Sequence, residues 1–127
     1  MKIEHVALWV RDLERAKAFY ATVLGGSAGE RYLNPKTGFE SIFVSFDGGA
    51  SLELMTRGDV RSADRAVERE GFCHLAVSVG SEALVDEWTE RLRARGVTVA
   101  SAPRWTGDGK YESVVLDPEG NRLELTV

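Results

Sequence analysis

The feature that most constrains the fold is a three-residue motif that occurs twice. Leu52-Glu53-Leu54 and Leu123-Glu124-Leu125 each place a glutamate between two leucines, inside a run typical of a β-strand. Because neighbours in a strand point to opposite faces, both leucines can pack into a core while the glutamate faces the other side. The motif therefore predicts two equivalent strands that each present one carboxylate on the face away from the core.

The two histidines of the chain strengthen this interpretation. His5 and His74 both lie in strand-like runs, and they precede the two glutamates by similar intervals, 48 residues (53 − 5) and 50 residues (124 − 74). A His–Glu pair that recurs at nearly the same spacing indicates a duplicated module. Since imidazole nitrogens and carboxylate oxygens both bind divalent metals, we predict two metal ligands in each copy.

Composition excludes several classes of protein. The net charge is −4 at pH 7, and no basic run suggests nucleic-acid binding. No apolar run is long enough to cross a membrane. Cys73 is the only cysteine in the 127 residues, which rules out an intrachain disulfide and is typical of a reducing compartment. We therefore expect a cytoplasmic protein that binds neither nucleic acid nor a membrane.

The hydrophobic pattern predicts the same order of elements in both halves. Each half contains a strand, a helix and three further strands, with Asp12 and Ser81 as N-caps and glycines at the helix ends. In the first module, residues 1–57, the strands are 2–10, 29–34, 39–46 and 50–56. A polar linker, 58–70, follows. In the second module, residues 71–127, the strands are 72–79, 97–100, 111–116 and 122–126, with a loop at 103–110.

The two halves also match letter by letter. FESIFVSFDGGASLEL in the first half aligns with YESVVLDPEGNRLEL in the second, whose turn is one residue shorter. This alignment places Glu40 and Glu112 at the same position, 13 (53 − 40) and 12 (124 − 112) residues before the Leu-Glu-Leu glutamates. An internal match over this length indicates duplication.

The four paired residues predict a metal site. A strand histidine alone is more often a hydrogen-bonded core residue, and a strand glutamate alone is usually solvated. Two carboxylates facing one enclosed space are costly unless a cation joins them. Two imidazoles and two carboxylates suit zinc, nickel, cobalt, iron or manganese. The proposed ligands are His5, Glu53, His74 and Glu124.

Two stretches of the chain are fairly specific, HVALWVRDLERAKAFY near the start and DPEGNRLEL near the end. Through them the chain resembles, over its whole length, the vicinal-oxygen-chelate superfamily, which includes glyoxalase I, bleomycin-resistance proteins, extradiol dioxygenases and methylmalonyl-CoA epimerase. The resemblance implies an α+β fold in which two βαβββ modules form a cupped mixed sheet with helices outside. It also implies a single domain, 1–127, with one divalent metal per site, zinc or nickel before cobalt, manganese or iron.

Within that superfamily the ligand set is nearest to glyoxalase I. The resemblance implies a metal-dependent lyase or isomerase that moves a proton on a small α-oxo or α-hydroxy carbonyl, such as a hemithioacetal, through a metal-stabilised enediolate. Glu124 is then the expected base, and Glu53 can share that role. Two alternatives stay open. One is a non-catalytic protein that binds an antibiotic or another small aromatic or cationic molecule, and the other is a metal-dependent dioxygenase.

Two departures concern the substrate, which we expect to be a small molecule. Short glyoxalase I proteins often have an arginine where this chain has Trp9, and an asparagine where it has Arg57. The departures weaken the expectation of glutathione, although the planar fork of Arg57 suits a carboxylate. The expected substrate-binding residues are Trp9, Arg57, Phe72, Trp105 and Tyr111, whose aromatic members could equally pack the core or rim.

Assembly is the last expectation. Each predicted module has a small sheet with exposed edges, and a second chain related by two-fold symmetry would cover them. We therefore expect a homodimer with metal sites at or beside the subunit interface. The ligands of one site can come from one chain or from two.

Overall fold

The computed structural model describes residues 1–64, 67–68 and 70–127. It contains two compact units, Met1–Ala63 and Asp64–Val127. The boundary between the units falls inside the predicted linker 58–70. Arg65, Ala66 and Arg69, which belong to that predicted linker, lie outside the described residues.

The first unit is a mixed sheet with one helical segment. Its strands are β1 (His5–Trp9), β2 (Ser27–Ala28), β3 (Tyr32–Asn34), β4 (Phe39–Ser45) and β5 (Ser51–Thr56). Helix α1 (Leu13–Lys17) continues directly as a π-helical segment, Ala18–Val23. The strand order is β1-β5-β4-β2, and β3 also pairs with β4. Only β1 and β5 are parallel.

The core of the first unit forms where the helical segment covers one face of the sheet. Asp12 caps α1 by accepting a hydrogen bond from the backbone N–H of Arg15 at 2.9 Å. The helical segment ends at the glycine pair predicted to stop it. A Cβ at Gly26 would lie 2.5 Å from a Val44 methyl group, so the close approach of the chain to β4 requires glycine there. The buried apolar residues are Val10, Leu13, Ala16, Phe19, Tyr20, Ile42, Val44, Leu52 and Leu54.

The second unit repeats this plan without the short extra strand. Its elements are β6 (His74–Ser78), α2 (Glu82–Ala94), β7 (Val99–Trp105), β8 (Tyr111–Leu116) and β9 (Arg122–Thr126). The strand order is β6-β9-β8-β7, and only β6 and β9 are parallel. Ser81 caps α2 as predicted, accepting from the Leu84 N–H at 3.3 Å.

The core of the second unit contains one polar contact among its apolar side chains. Val85 and Leu92 of α2 are buried together with Val115, Leu123 and Leu125 of the sheet. The hydroxyls of Thr89 and Ser113 are 2.6 Å apart, and Thr89 also donates to the Val85 carbonyl. Because both hydroxyls have partners, the buried polar pair carries no unpaired group.

One local prediction was wrong, and one short strand was missed. The loop predicted at 103–110 begins later, because β7 continues through Pro103 to Trp105. β7 is an edge strand with two irregularities in its pairing to β8, and a proline is tolerated on an edge, where its missing N–H breaks no ladder bond. The very short β2 was also not predicted, since a two-residue strand carries no readable alternation.

The predicted fold class is confirmed: the protein is α+β, with two mixed sheets and a helical segment on each. In the described part of the chain, no helix has the length and apolar character needed to cross a bilayer.

Candidate metal centre

The parallel pairing of β1 with β5 brings the first His–Glu pair together. His5 lies opposite Ser51 and Ala7 lies opposite Glu53, so the histidine and the glutamate share a face of the sheet. The His5 Nε2 and Glu53 Oε2 atoms are 3.9 Å apart. Leu52 and Leu54 point into the core on the other face, as the Leu-Glu-Leu motif predicts.

The second unit reproduces this arrangement in the same register. His74 lies opposite Arg122 and Ala76 lies opposite Glu124, and the His74 Nε2 and Glu124 Oε2 atoms are 3.4 Å apart. The two glutamate side chains are 17% and 16% exposed, and the two histidine side chains 40% and 43%. Each carboxylate is therefore largely shielded, whereas each imidazole is open to solvent.

The donor atoms of each pair fit a shared divalent ion. Two ligands about 2.1 Å from one ion lie roughly 3.0–3.4 Å apart at ordinary bond angles. The pair in the second unit already has this separation, and the pair in the first unit exceeds it by about half an ångström. Within residues 1–64, 67–68 and 70–127, no group of three or more His, Cys, Asp or Glu side chains could hold a metal ion. Each unit thus provides two of the four predicted ligands.

Glu4 is a functional candidate that the sequence did not reveal. His5 Nδ1 is hydrogen-bonded to the Glu4 carboxylate, and this bond is the main cause that raises the pKa of His5. A carboxylate on one imidazole nitrogen orients the ring and leaves Nε2 for a metal. In the second unit Cys73 takes the equivalent place before His74, and its Sγ accepts from Arg122 at 3.5 Å. In the sequence, the position of Glu4 next to His5 was the only sign that Glu4 could take part in the site.

Aromatic side chains surround the pair in the first unit. The ring of His5 meets Phe43 edge-on at 5.5 Å, and the ring of Trp9 meets Phe39 edge-on at 6.1 Å. The Arg57 guanidinium lies 5.6 Å from the Trp9 ring centre. Its Nε and Nη2 donate to the two oxygens of Asp59 at 2.6 and 3.0 Å. The structure therefore brings together two of the predicted substrate-binding residues, Trp9 and Arg57.

These two residues also line a cavity. Its volume is about 260 Å³, and its walls are formed by Trp9, Arg57, Asp59, Val60 and Arg61. The walls combine one large aromatic face with two guanidinium groups and one carboxylate. Such a lining suits a ligand that has both an apolar part and an anionic group.

The three remaining substrate-binding candidates belong to the second unit. The rings of Trp105 and Tyr111 are in contact, with centres 5.4 Å apart. The Tyr111 hydroxyl donates to Asp86 of α2 at 2.8 Å, which places Tyr111 on the helix side of the sheet, opposite to Glu124. Phe72 precedes β6 and is fully exposed. The structure therefore places the rings of Trp105 and Tyr111 on the face opposite to Glu124.

The predicted equivalence of Glu40 and Glu112 was wrong. Glu112 pairs with Thr126, two residues after Glu124, and its counterpart in the first unit is Ser41, which pairs with Met55, two residues after Glu53. Glu40 lies on the opposite face of β4, where it forms an ion pair with Arg31. The physical reason is that the second turn is shorter by one residue, and a shift of one residue moves a strand side chain to the other face.

Glu112 places a second carboxylate beside Glu124. Only 8% of Glu112 is exposed, and its Oε1 accepts a hydrogen bond from Arg104 Nη2 at 3.2 Å. Burial raises the pKa of the Glu124 carboxyl, and the negative charge of Glu112 raises it further, while His74 acts in the opposite direction. Glu124 is therefore a stronger proton acceptor than an ordinary surface glutamate.

The chain is similar to known proteins over nearly its whole length. A model of the Glyoxalase/Bleomycin resistance protein/Dioxygenase superfamily matches residues 2–125. The Bacillus subtilis protein YwkD is 28% identical over 123 residues, covering 97% of this chain and 94% of its own length. The lactoylglutathione lyase of Salmonella typhimurium is 33% identical over 129 residues, covering 98% of this chain and 91% of its own length.

A solved structure shows the same fold. The glyoxalase family protein from Enterococcus faecalis superposes with a TM-score of 0.83 at 24% identity, covering 99% of this chain and 97% of that chain. The family model spans nearly the whole sequence, including both His–Glu pairs. This protein belongs to the Glyoxalase/Bleomycin resistance protein/Dioxygenase superfamily.

Proposed function

We propose that the protein is a metal-dependent isomerase or lyase of the glyoxalase I type. Its substrate is a small α-oxo or α-hydroxy carbonyl compound, such as a hemithioacetal, and the reaction moves a proton between neighbouring carbon atoms. The observation that carries the proposal is the His–Glu pair, present in both units in one register, with a proton-accepting carboxylate at Glu124. The similarity to lactoylglutathione lyase supports the same class of reaction.

The metal in this proposal is one divalent ion, zinc or nickel before cobalt, manganese or iron. Its ligands are His5, Glu53, His74 and Glu124, whose nitrogen and oxygen donors suit these ions. When bound, such an ion acts as a Lewis acid that stabilises negative charge on the adjacent oxygens of a substrate.

Glu124 is the proposed base. A proton acceptor works best when its pKa approaches the working pH, and burial and Glu112 both raise the pKa of Glu124. Glu53 is the proposed partner, because it projects from the equivalent strand in the same register. The neighbouring leucines hold both glutamates in place, since their burial fixes which face each strand turns to the core.

Trp9 and Arg57 are the proposed binding residues for the non-reacting part of the substrate. Trp9 lies at the end of β1, four residues beyond His5 and roughly 13 Å along the sheet, and Arg57 directly follows the parallel strand β5, four residues beyond Glu53. Asp59 already engages the Arg57 fork, so a substrate carboxylate would have to compete with it. We therefore expect only weak dependence on glutathione. A methylglyoxal assay with glutathione, other thiols and no thiol tests this, and efficient glutathione-specific turnover would contradict it.

We also propose a homodimer, because strands with open edges tend to gain a partner. A mixture of His5→Ala and Glu124→Ala chains distinguishes the two ways of building a site. If the ligands come from two chains, mixed dimers regain one intact site and some metal binding. A monomer in sedimentation analysis would exclude the dimer.

The central test is metal analysis of protein purified without chelator, with a hemithioacetal assay beside it. The proposal predicts close to one metal per four-ligand site, a rise in thermal stability on adding zinc or nickel, and isomerase activity that a chelator abolishes. His74→Ala should lose both metal and activity. Arg93, on the surface of α2, provides the matched control Arg93→Gln, which should keep both. Protein without metal, and with no stabilisation by zinc or nickel, would refute the proposal.

A non-catalytic binding protein is the second candidate. It is favoured by the cavity beside Trp9 and Arg57, which suits an aromatic ligand whether or not metal is present. Calorimetry with aromatic acids on metal-free protein separates the two functions. Tight binding without metal, together with absent turnover, would support the binder.

A further inference from the structure

Arg104 lies on the same face of the second sheet as the Glu124 carboxylate. It pairs with Glu112 across β7 and β8, and Glu112 pairs in turn with Thr126 across β8 and β9. Since Thr126 is two residues from Glu124, all of these side chains leave the sheet from one side. Arg104 has no role in the reaction proposed above. The sequence pattern predicted that it would lie in a loop.

The Arg104 guanidinium is held in one orientation. Its Nη2 donates to Glu112 Oε1 at 3.2 Å, and its Nε donates to the Ser101 hydroxyl at 3.1 Å. In the part of the chain that the structure describes, Nη1 has no hydrogen-bond partner, and the side chain is 52% exposed. Two nitrogens are therefore anchored, while the remaining N–H groups face solvent and can bind an anion.

Glu112, the carboxylate that holds Arg104, has no acidic counterpart in the first unit. Ser41 occupies the position of Glu112 in the first unit, so no carboxylate there could hold an arginine in this way. A nearly buried glutamate is costly unless it is paired, and a serine would be tolerated at the same position. In this pair the arginine is the exposed member, and it lies on the sheet face that carries the proposed base.

We propose that Arg104 is a specificity-determining residue, which binds an anionic group at the far end of the substrate. This inference rests on the proposed function. The substrate class is then a small α-oxo or α-hydroxy acid that carries a second carboxylate or a phosphate. A planar guanidinium binds either group through paired N–H···O bonds, so the shared chemistry is recognition of an oxyanion.

The strand geometry limits the length of this substrate. Arg104 is two strands from β9, about 10 Å across the sheet, and two residues, about 7 Å, along it from the level of Glu124. The Glu112 carboxyl lies between the two side chains, since it accepts from Arg104 and is also hydrogen-bonded to the Glu124 carboxyl. The anionic group must therefore be separated from the chelating oxygens by only a short chain of carbon atoms.

The experiment uses nickel-loaded protein and two probes with the same chelating end. One is 2-oxopentanedioate, which has a distal carboxylate, and the other is 2-oxopentanoate, which lacks it. Calorimetry on the wild type should show the dicarboxylate binding about tenfold to a hundredfold more tightly, as expected for a charge-assisted hydrogen-bonded pair. Arg104→Gln should lose this preference and retain its affinity for 2-oxopentanoate.

Two further arms complete the test. Arg93→Gln removes an arginine that pairs with Glu90 on α2, far from the metal-ligand face, and should keep the full preference. A probe with a distal phosphonate identifies the natural anion. If the phosphonate probe binds more tightly than the dicarboxylate, the natural group is a phosphate, and if it binds more weakly, the natural group is a carboxylate. In both cases Arg104→Gln should lose the extra affinity for the anionic probe.

The outcomes separate this inference from the proposed function. If the protein takes up nickel but binds both probes equally, or if Arg104→Gln keeps the preference, the role of Arg104 is overturned and the metal chemistry stands. If the protein takes up no nickel, the proposed function and the role of Arg104 fail together. Nickel content and thermal unfolding of Arg104→Gln show whether that variant is folded.

Discussion

The two units carry the same His–Glu pair in different surroundings. In the first unit, His5 and Glu53 share their face with Phe39, Phe43 and Trp9. In the second, neither aromatic position on the two strands keeps its ring: Val114 stands in place of Phe43 and Ser78 in place of Trp9. A carboxylate is present instead, because Glu112 stands in place of Ser41.

The difference shows which parts of a duplicated module can diverge. The distance between histidine and glutamate depends on the register of two parallel strands, and burial of the flanking leucines fixes that register. The neighbours on the exposed face are free to change, because they do not determine the register. One copy has become aromatic and the other charged, which suits binding in the first unit and proton transfer in the second.

The largest expected effect is the loss of isomerase activity when Glu124 and Glu53 are each replaced by glutamine in separate variants. Glu124→Gln should reduce isomerase activity by about 10²–10⁴-fold, because it removes the proposed base while keeping a ligating oxygen. Glu53→Gln should reduce activity less. Both variants are assayed at saturating metal. Equal losses of activity in the two variants would contradict the proposal that Glu124 is the base and Glu53 its partner. Unchanged turnover in Glu124→Gln would show that Glu124 is not the base.

The next effect tests whether the two cores are equivalent. Leu54→Ala and Leu125→Ala should each lower the free energy of unfolding by about 2–5 kcal/mol, since both side chains are fully or almost fully buried. Denaturant titration measures the change. Phe72→Ala is the control, and because Phe72 is fully exposed it should alter stability by no more than about 0.5 kcal/mol. A large decrease in the free energy of unfolding in only one of the leucine variants would show that the cores of the two units are not equivalent.

A smaller effect concerns the residue before each histidine. Glu4→Ala should weaken metal binding by about tenfold, because it removes the carboxylate that orients His5. Cys73→Ser, at the equivalent position in the second unit, should leave metal affinity nearly unchanged. Competition with a chelator of known affinity measures both. Equal effects in the two variants would show that Glu4 does not distinguish the units.

The smallest effect is a dependence of stability on pH in metal-free protein. The pKa of Glu124 is raised in the folded state, so the folded protein holds this proton more tightly than the unfolded chain. Its contribution to stability is complete below the unfolded pKa and declines as pH rises through the folded pKa. The Glu124→Gln variant has no titrating carboxyl at this position and so lacks the decline. Its free energy of unfolding relative to wild type should therefore rise between the unfolded and the folded pKa of Glu124.

Denaturant titrations at several pH values, with chelator present, measure this difference. Glu112→Ser should reduce the slope, because it removes the second cause of the raised pKa. A constant difference between Glu124→Gln and wild type at all pH values would contradict the assignment.

Local patterns were sufficient for most of the fold. The alternation around Leu52-Glu53-Leu54 and Leu123-Glu124-Leu125 predicted both central strands and their buried faces, which the structure confirms. Asp12 and Ser81 predicted both helix starts. These features depend on residues close in sequence, where side-chain alternation and capping act directly. The extension of β7 through Pro103 was missed, because an edge position that tolerates proline is defined by the whole sheet.

The sequence by itself determined the duplication, the order of strands and helix in each half and the two recurring His–Glu pairs, since repeated motifs and strand alternation are properties of the chain alone. The α+β class followed from the family resemblance. Only the tertiary structure decided that Glu112, and not Glu40, shares a face with its Leu-Glu-Leu glutamate, and that Arg104 pairs with Glu112 on that face. The physical reason is register. Which side chains meet across strands depends on a shift of a single residue, and that shift is set by pairing between segments distant in sequence.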